Sequence, residues 1–403
     1  MAQKLAYQCL APHIKTLHAL GGYRLNPENS LLKQYVFRLY MFVSIIVPIL
    51  FEVQQAIHMY HVRENMSNIT NTMLLFLSYT DSTFKHVIFW VKENSIQILI
   101  DCLKDELFNQ DDPYHKSLLL KSNRNAYVLL RVFNFMTLAT NFLWALFPLL
   151  LHLNGSSEEL PLWMPFETTN GPGFYITVAY SYIMTSRQGV INSTMDCFII
   201  SFYAQLNIDF FLNYNNNEYF IIHFIYFLLN TFQICTYRLS VKCQDVFGAV
   251  MMYQFLIQAW ILCSTVYYML NVVSVEFISM VTYVGCILIQ IYIYCYYGNE
   301  LKYESMALLN SAYEMDWLNM STTHRRSLLI YMERIKRPIE PVAGFIIPLS
   351  NATFISVKLY QQYFIKKLLF LILFVISNYI FISDSAEYLF ILRVFKEFYL
   401  INL

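Results

Sequence analysis

Ionisable side chains inside long apolar runs have the greatest capacity for chemistry in this chain, and they are few. Asp81 and Lys85 stand four apart in the run Ile69 to Val91. That spacing puts them on one helical face, where pairing lowers the cost of holding either charge in hydrocarbon. Arg187 and Asp196 lie in the run Phe174 to Leu206. Charges at membrane depth point to a water-filled cavity, a pairing partner or a helix end, and extension of this long run beyond the bilayer is the favoured explanation. His58 and His61, three apart at the outer end of the first run, have the right types for a metal, but no third ligand stands near them. They are read as interfacial residues, with no metal. HExxH, GxSxG, P-loop and GxGxxG signatures are all missing, so hydrolase, kinase and dinucleotide readings have no anchor. Glu52, Asp81 and Asp196 are too sparse for the carboxylate clusters of a multi-span transporter or lipid enzyme. No catalytic residue, metal or cofactor is assigned.

The elements that carry these residues follow from composition. Of 403 residues, 57% are hydrophobic, 17% aromatic and only 13% charged, against roughly a quarter charged in soluble domains. One soluble core cannot absorb that much apolar surface, whereas a helix crossing ~30 Å of hydrocarbon needs about 20 apolar residues. Runs of that kind predict seven spans: Val36 to Tyr60, Ile69 to Val91, Tyr127 to Leu153, Phe174 to Leu206, Ala249 to Leu270, Val275 to Tyr297 and Pro338 to Tyr360. The fold class is therefore all-α and polytopic, in a lipid membrane. A further apolar stretch, Tyr219 to Cys235, is read as re-entrant, interfacial or packed, because an eighth crossing would put a basic loop outside. The net charge of +0 gives no nucleic-acid footprint. Eight cysteines are scattered, and Cys197, Cys263, Cys286 and Cys295 sit in apolar runs as small hydrophobes.

Orientation follows from loop charge, since short loops rich in Lys and Arg stay cytoplasmic. Lys4, Lys15, Arg24, Lys33 and Arg38 keep the N-terminus inside, and no cleaved signal peptide is evident. Lys302, Arg325, Arg326, Arg334, Lys336 and Arg337 put their loop inside too. Asn154 to Gly171 and Asn271 to Ser274 lack Lys and Arg and go outside. The sequons at Asn65, Asn68 and Asn154 fall in outside loops and are candidate glycosylation sites. An inside N-terminus, with no DRY-like or NPxxY-like motif, argues against a G-protein-coupled receptor.

Aromatic residues along the outer halves of the spans, Phe76, Tyr79, Trp144, Tyr180, Tyr267 and Tyr283, could line a greasy pocket for a small apolar ligand, together with Thr137, Asn141 and Met184. Packing and interfacial anchoring are the competing roles for such residues.

The C-terminal third is more specific. Gly298-Asn299-Glu300-Leu301 ends a span, followed by Glu304-Ser305, Ala312-Tyr313, Asp316-Trp317, Arg337-Pro338, Ala343-Gly344, Pro348-Leu349-Ser350 and Thr353-Phe354. Earlier, Leu160-Pro161-Leu162-Trp163-Met164-Pro165-Phe166 forms an LP…W-x-PF element. This ordered series resembles the insect odorant receptor family, over most of residues 1–364. The resemblance implies a tuning subunit of an odour-gated, non-selective cation channel, a heterotetramer with the odorant receptor co-receptor, in the plasma membrane of the olfactory sensory neuron dendrite. It implies a small apolar volatile as ligand, bound among spans two to six. Subunit contacts would come from Tyr303 to Arg337 and Pro338 to Phe364. The pore-side residues of the last span would be Ser350, Thr353, Phe354, Tyr363, Lys366 and Lys367. A gustatory-type receptor of the same superfamily is the alternative.

Two segments depart from the family pattern. Asn213 to Asn230, NYNNNEYFIIHFIYFLLN, stands where members carry a polar cytoplasmic loop, and an apolar extension follows Phe364. Residues 1–364 are accordingly read as the receptor domain and 365–403 as an atypical apolar extension. Both unusual pieces are read as translated intron or misannotated sequence. Lys366 and Lys367 would put cationic side chains where members narrow the pore with apolar ones, opposing cation passage.

Overall fold

The computed structural model describes residues 5–24, 30–64, 66–109, 112–155, 160–168, 171–215, 224–269, 275–314, 321–344 and 346–356. Its long elements are helices: α1 (Leu5–Gln8), α2 (Ala11–Leu20), α3 (Leu31–His61), α4 (Met66–Val91), α5 (Glu93–Cys102), α6 (Pro113–Leu153), α7 (Pro172–Asn215), α8 (Phe224–Met269), α9 (Val275–Glu314) and α10 (Thr322–Ile335). A two-residue pairing, β1 (Val342–Ala343) with β2 (Ile347–Pro348), is antiparallel with Val342 opposite Pro348.

The chain is a helical membrane protein. Among the described residues, Leu31–His61, Pro113–Leu153, Thr236–Thr265 and Ser279–Glu314 are long and apolar enough to cross a membrane. Their outer faces agree with that. On α6, Val128, Val132, Phe135, Leu138 and Phe142 are all exposed. They recur every three or four residues, the stripe a helix turns toward lipid rather than water.

α7 is different. Ile191, Met195, Cys197, Phe198, Ile199, Ile200, Phe202, Tyr203 and Leu206 are buried on every side of the helix, the pattern of a helix surrounded by protein. It packs against α2, α3, α4, α6, α8 and α9, and the main core is built around it. α6, α7, α8 and α9 have 41, 44, 46 and 40 residues. Each is about 60 Å or longer, twice the hydrocarbon thickness, and so extends well outside the bilayer.

Outside the spans, Asp112 caps α6 by accepting from the His115 amide at 2.8 Å, with Pro113 in the first turn. The N-terminal helices dock onto this base: the Ala6 amide donates to Asn109 Oδ1 at 2.9 Å and Asn123 Nδ2 to the Leu5 carbonyl at 3.1 Å. His13 in α2 is fully buried, and burial pushes its imidazole down to about 4, although Nδ1 retains a bond to the Cys9 carbonyl at 3.0 Å.

One expectation is narrowed and another corrected. Of the re-entrant, interfacial and packed readings of Tyr219 to Cys235, the re-entrant one is excluded, because from Phe224 onward the segment runs without a break into α8. The last span does not begin at Pro338. Pro338, Pro341 and Pro348 cannot donate helical hydrogen bonds, and Gly344 adopts a left-handed φ of 57°, so this stretch forms the β1–β2 hairpin instead. Helix resumes at Asn351, and residues from 357 onward, including Tyr363, Lys366 and Lys367, lie outside the described residues.

Candidate ligand site

Four helix faces meet beneath the outer loop. Leu75, Ser78, Tyr79 and Ser82 share a face of α4 at spacings of three and four. Met136, Thr137, Thr140 and Asn141 do so on α6, Thr185, Gln188, Gly189 and Asn192 on α7, and Tyr283, Cys286, Ile287 and Gln290 on α9. Together they line a cavity of about 160 Å³. A smaller one of about 80 Å³ adjoins it, sharing Leu75, Asn141 and Thr185 and reaching Asn71, Trp144, Leu160 and Pro161. Gly189 permits the close approach of α6 and α7. A Cβ there would stand 2.5 Å from Thr137 Cγ2, well inside contact distance.

Much of the wall is greasier than its residue names suggest. The hydroxyls of Thr137, Thr140 and Thr185 turn back to carbonyls four residues earlier, each at 2.9 Å, which satisfies them within their own helix. The Ser78 and Tyr283 hydroxyls bond each other across α4 and α9.

Behind the inner wall lies an ionic network. Lys85 and Asp196 are both fully buried. The Lys85 ammonium donates to Asp196 Oδ1 at 2.9 Å and Oδ2 at 3.1 Å, to Asn192 Oδ1 at 2.8 Å, and pairs with Asp81 Oδ2 at 3.0 Å. Asp196 also accepts from Gln290 Nε2, and from the Tyr294 hydroxyl at 2.9 Å. Gln258 Nε2 in turn donates to Gln290 Oε1 at 2.6 Å. The network ties α4, α7, α8 and α9 together, with Asn192 and Gln290 belonging both to it and to the cavity wall. Asp196 is thus held by a pairing partner within the bundle, one of the explanations open to a charge in this run. Arg187 donates to the Leu20 carbonyl at 3.0 Å and to the Ser44 hydroxyl, placing a cation at the C-terminus of α2, where the helix dipole favours it.

Of the candidate pocket residues, Tyr79, Thr137, Asn141, Trp144 and Tyr283 line the two cavities. Tyr180 and Met184 belong instead to a neighbouring cluster with Phe51, Tyr79 and Leu162, where the Tyr180 hydroxyl donates to Gln54 Oε1 at 3.1 Å. Phe76 is half-buried on a different face of α4 from the cavity-lining residues. The Tyr267 side chain lies outside the described residues. Ser82, Gln188, Asn192 and Gln290 line the cavity unanticipated. Their signal was the spacing of Gln188, Asn192 and Asp196 by four on α7, a polar stripe in an apolar helix.

The loop after α6 contributes Leu160 and Pro161 to the smaller cavity. Leu160 and Leu162 are buried, Leu162 against Phe51 and Tyr79. Asn154 is exposed in the turn after α6, Asn68 lies half-buried in the first turn of α4, and Asn65 is outside the described residues. On α3, His58 is buried and His61 exposed, its Nδ1 at 2.8 Å from the Ile57 carbonyl.

At the other end, the C-terminal motifs form one latch. Gln244 on α8 brackets Val342, accepting from its amide at 3.0 Å and donating to its carbonyl, and the Gly344 amide donates to the Gly248 carbonyl at 2.9 Å. On α9, Ser305 Oγ accepts from the Ile339 amide at 3.0 Å, and Lys302 pairs with Glu340 at 2.6 Å. Gly298 leaves room for Leu349, since a Cβ would stand 2.5 Å from the Leu349 Cβ. Ser350 then caps the last helix, its Oγ accepting from the Thr353 amide at 3.2 Å. Phe354 packs edge-on against Tyr292 at 5.3 Å between ring centroids.

A family model described as 7tm Odorant receptor matches residues 65–213 and 232–360, more than half of the chain. The chain belongs to this odorant receptor family. The match skips residues 214–231 and does not extend past 360, the two places where the sequence departs from the family pattern. Similar curated receptors include Odorant receptor 94a of Drosophila melanogaster, 26% identical over 48% of this chain and 53% of its own length. Another is Odorant receptor 22c of the same species, 29% identical over 26% of this chain and 27% of its own length. This receptor therefore matches about half or less of those relatives. Its fold is similar to the insect olfactory receptor OR5 from Machilis hrabei, with a TM-score of 0.76 at 16% identity, covering 90% of this chain and 99% of that one. The same receptor in complex with eugenol gives a TM-score of 0.75 at 16% identity, covering 90% of this chain and 97% of that one.

Proposed function

We propose that this odorant receptor is the tuning subunit of an odour-gated, non-selective cation channel, assembled as a heterotetramer with the odorant receptor co-receptor. It works in the plasma membrane of the olfactory sensory neuron dendrite, with seven spans and a cytoplasmic N-terminus. The ligand is a small volatile in the cavity between α4, α6, α7 and α9. That cavity carries the reading: it is concave and mostly apolar, and it adjoins a smaller one lined by Leu160 and Pro161 of the loop after α6, as a site for a volatile should be. The eugenol complex of the structural relative supports the ligand class. Apolar side chains exposed beyond the spans support assembly, because Tyr303, Tyr313, Leu329 and Ile330 are each more than half exposed on the α9 extension and α10. A volatile that binds one conformation better than the other shifts their balance by that difference in affinity.

The last span would deliver the change to a pore flanked by Ser350, Thr353, Phe354, Tyr363, Lys366 and Lys367. Asn65, Asn68 and Asn154 are the proposed glycan acceptors. Residues 1–364 form the receptor domain, and segments 213–230 and 365–403 are translated intron, which sequencing of the transcript would disprove by finding both in the mature message. The functional test is whole-cell current from cells expressing this chain with and without the co-receptor, challenged with a panel of volatiles. A current that needs both subunits and an odorant is expected. Odorant-evoked current from this chain alone would refute the heteromeric reading, and silence with confirmed surface expression across a broad panel would refute channel competence.

A further inference from the structure

Three buried polar atoms of the main cavity wall have no partner: Asn141 Nδ2, Gln188 Oε1 and the Tyr79 hydroxyl. Other polar groups on the wall are engaged, with Asn192 Oδ1 held by Lys85, the Gln290 amide held between Asp196 and Gln258, and the threonine hydroxyls on their own helices. Ser82 fixes which end of the Gln188 amide is left over. Gln188 Nε2 donates to Ser82 Oγ at 2.8 Å while the Ser82 hydroxyl is directed at the Gln188 carbonyl at 3.4 Å, so the spare group is an acceptor. Gln188 is only 2% exposed. The spare donor faces α7 one residue along, where a Cβ on Gly189 would stand 3.2 Å from Asn141 Nδ2.

We propose that this cavity selects a small neutral alcohol or phenol, whose hydroxyl accepts from Asn141 Nδ2 and donates to Gln188 Oε1. The hydrocarbon part lies against Leu75, Met136 and Ile287. This rests on the reading of the cavity as the odorant site. A hydroxyl is the smallest group that both accepts and donates. An ether, ester or ketone only accepts and strands Gln188 Oε1. An alkane strands both atoms, and an ammonium strands Asn141 while carrying an unpaired charge into an apolar wall. Each stranded group weakens binding by about tenfold or more, because the ligand displaces water without replacing its hydrogen bonds. The volume of about 160 Å³ is close to that of an engineered cavity of about 150 Å³ that holds benzene, which sets the ligand at about six to ten non-hydrogen atoms.

The test uses benzyl alcohol, anisole and ethylbenzene, matched in size but differing in hydrogen bonding. Binding to the purified full chain is read from Trp144 emission, since Trp144 lines the adjoining cavity, with Trp144→Phe identifying its share of the signal. Affinities are referred to each compound's partition into hexadecane. Benzyl alcohol is expected to exceed the other two by at least about tenfold, and Gln188→Met to remove that advantage while leaving ethylbenzene within about twofold. Equal referred affinities for all three on the unaltered chain would overturn the inference and leave the cavity reading standing. No emission change with any of the three would overturn both.

Discussion

Lys85→Met removes the cation at the centre of the buried network and nothing else of comparable volume. Its ammonium contacts both Asp196 oxygens, Asn192 Oδ1 and Asp81 Oδ2, all within 3.1 Å. With the side chain fully buried, no water is at hand to replace it. If these contacts behaved as ordinary hydrogen bonds between membrane helices, the loss would average about 0.6 kcal/mol each. Breaking a buried ion pair by removing one partner costs more, about 3–5 kcal/mol, because the remaining charge is uncompensated. Here two carboxylates remain, so the larger figure applies. At about 2–4 °C per kcal/mol for large domains, the midpoint should fall by roughly 6–20 °C. The assay is size-exclusion chromatography of detergent-solubilised protein after stepwise heating. Asp196→Asn added to Lys85→Met should recover at least about 1 kcal/mol of the loss, since one of the two stranded charges is gone. Asp81→Asn alone should cost less than Asp196→Asn alone, because Asp196 also holds Gln290 and Tyr294. A fall of under 2 °C (about 1 kcal/mol) for Lys85→Met, unchanged in the double variant, would refute the network as a structural tie.

Gly189→Ala places a methyl 2.5 Å from Thr137 Cγ2; α6 must give way at the cavity wall, and the odorant response should shift to about tenfold higher concentration or more, read as a dose–response curve against the unaltered chain. Gly298→Ala meets the backbone oxygen of Leu349 at 2.7 Å, so it should destabilise the latch by about 1–3 kcal/mol and speed hydrogen exchange over residues 339–350 while sparing α2. Falling pH should loosen the N-terminal helices through His13. Its folded value of about 4 lies below the ordinary 6.5, so the unfolded chain takes the proton first. Stability is then full above 6.5 and falls below it by about 1.4 kcal/mol per pH unit until about 4. Midpoints of the parent and His13→Phe should diverge with acidity over that window, and a constant difference from pH 7 to 4.5 would disprove the assignment.

Much of this arrangement was legible locally. Asp81 and Lys85 pair as their spacing of four required, and the Pro348-Leu349-Ser350 and Thr353 motif proves to be a helix cap, a short-range signal. The aromatic emphasis of the pocket reading was less useful. Tyr180 and Met184 have the composition of cavity residues but face Phe51, and only the rotation of α7 against α3 and α6 decides that. The partner of Lys85 lies 111 residues away, beyond the reach of any spacing rule. Pro338 to Pro348 was misjudged for a different reason: its apolar composition fitted a span, while its prolines and Gly344 already forbade a regular helix.

Helix α9 runs unbroken from the cavity to the latch. Gln290 borders the ligand space, Gly298 and Ser305 hold the hairpin, and Ala312 packs on α10. From Gln290 to Ala312 the rise is about 33 Å, so a tilt of about 5° pivoting at the cavity would swing Ala312 by about 3 Å. A ligand small enough to change one side-chain contact would therefore move the far end by most of an atom's diameter. In such a rod, the sensitivity of the far end scales with its distance from the pivot, and shortening α9 by whole turns should blunt the response without touching the cavity.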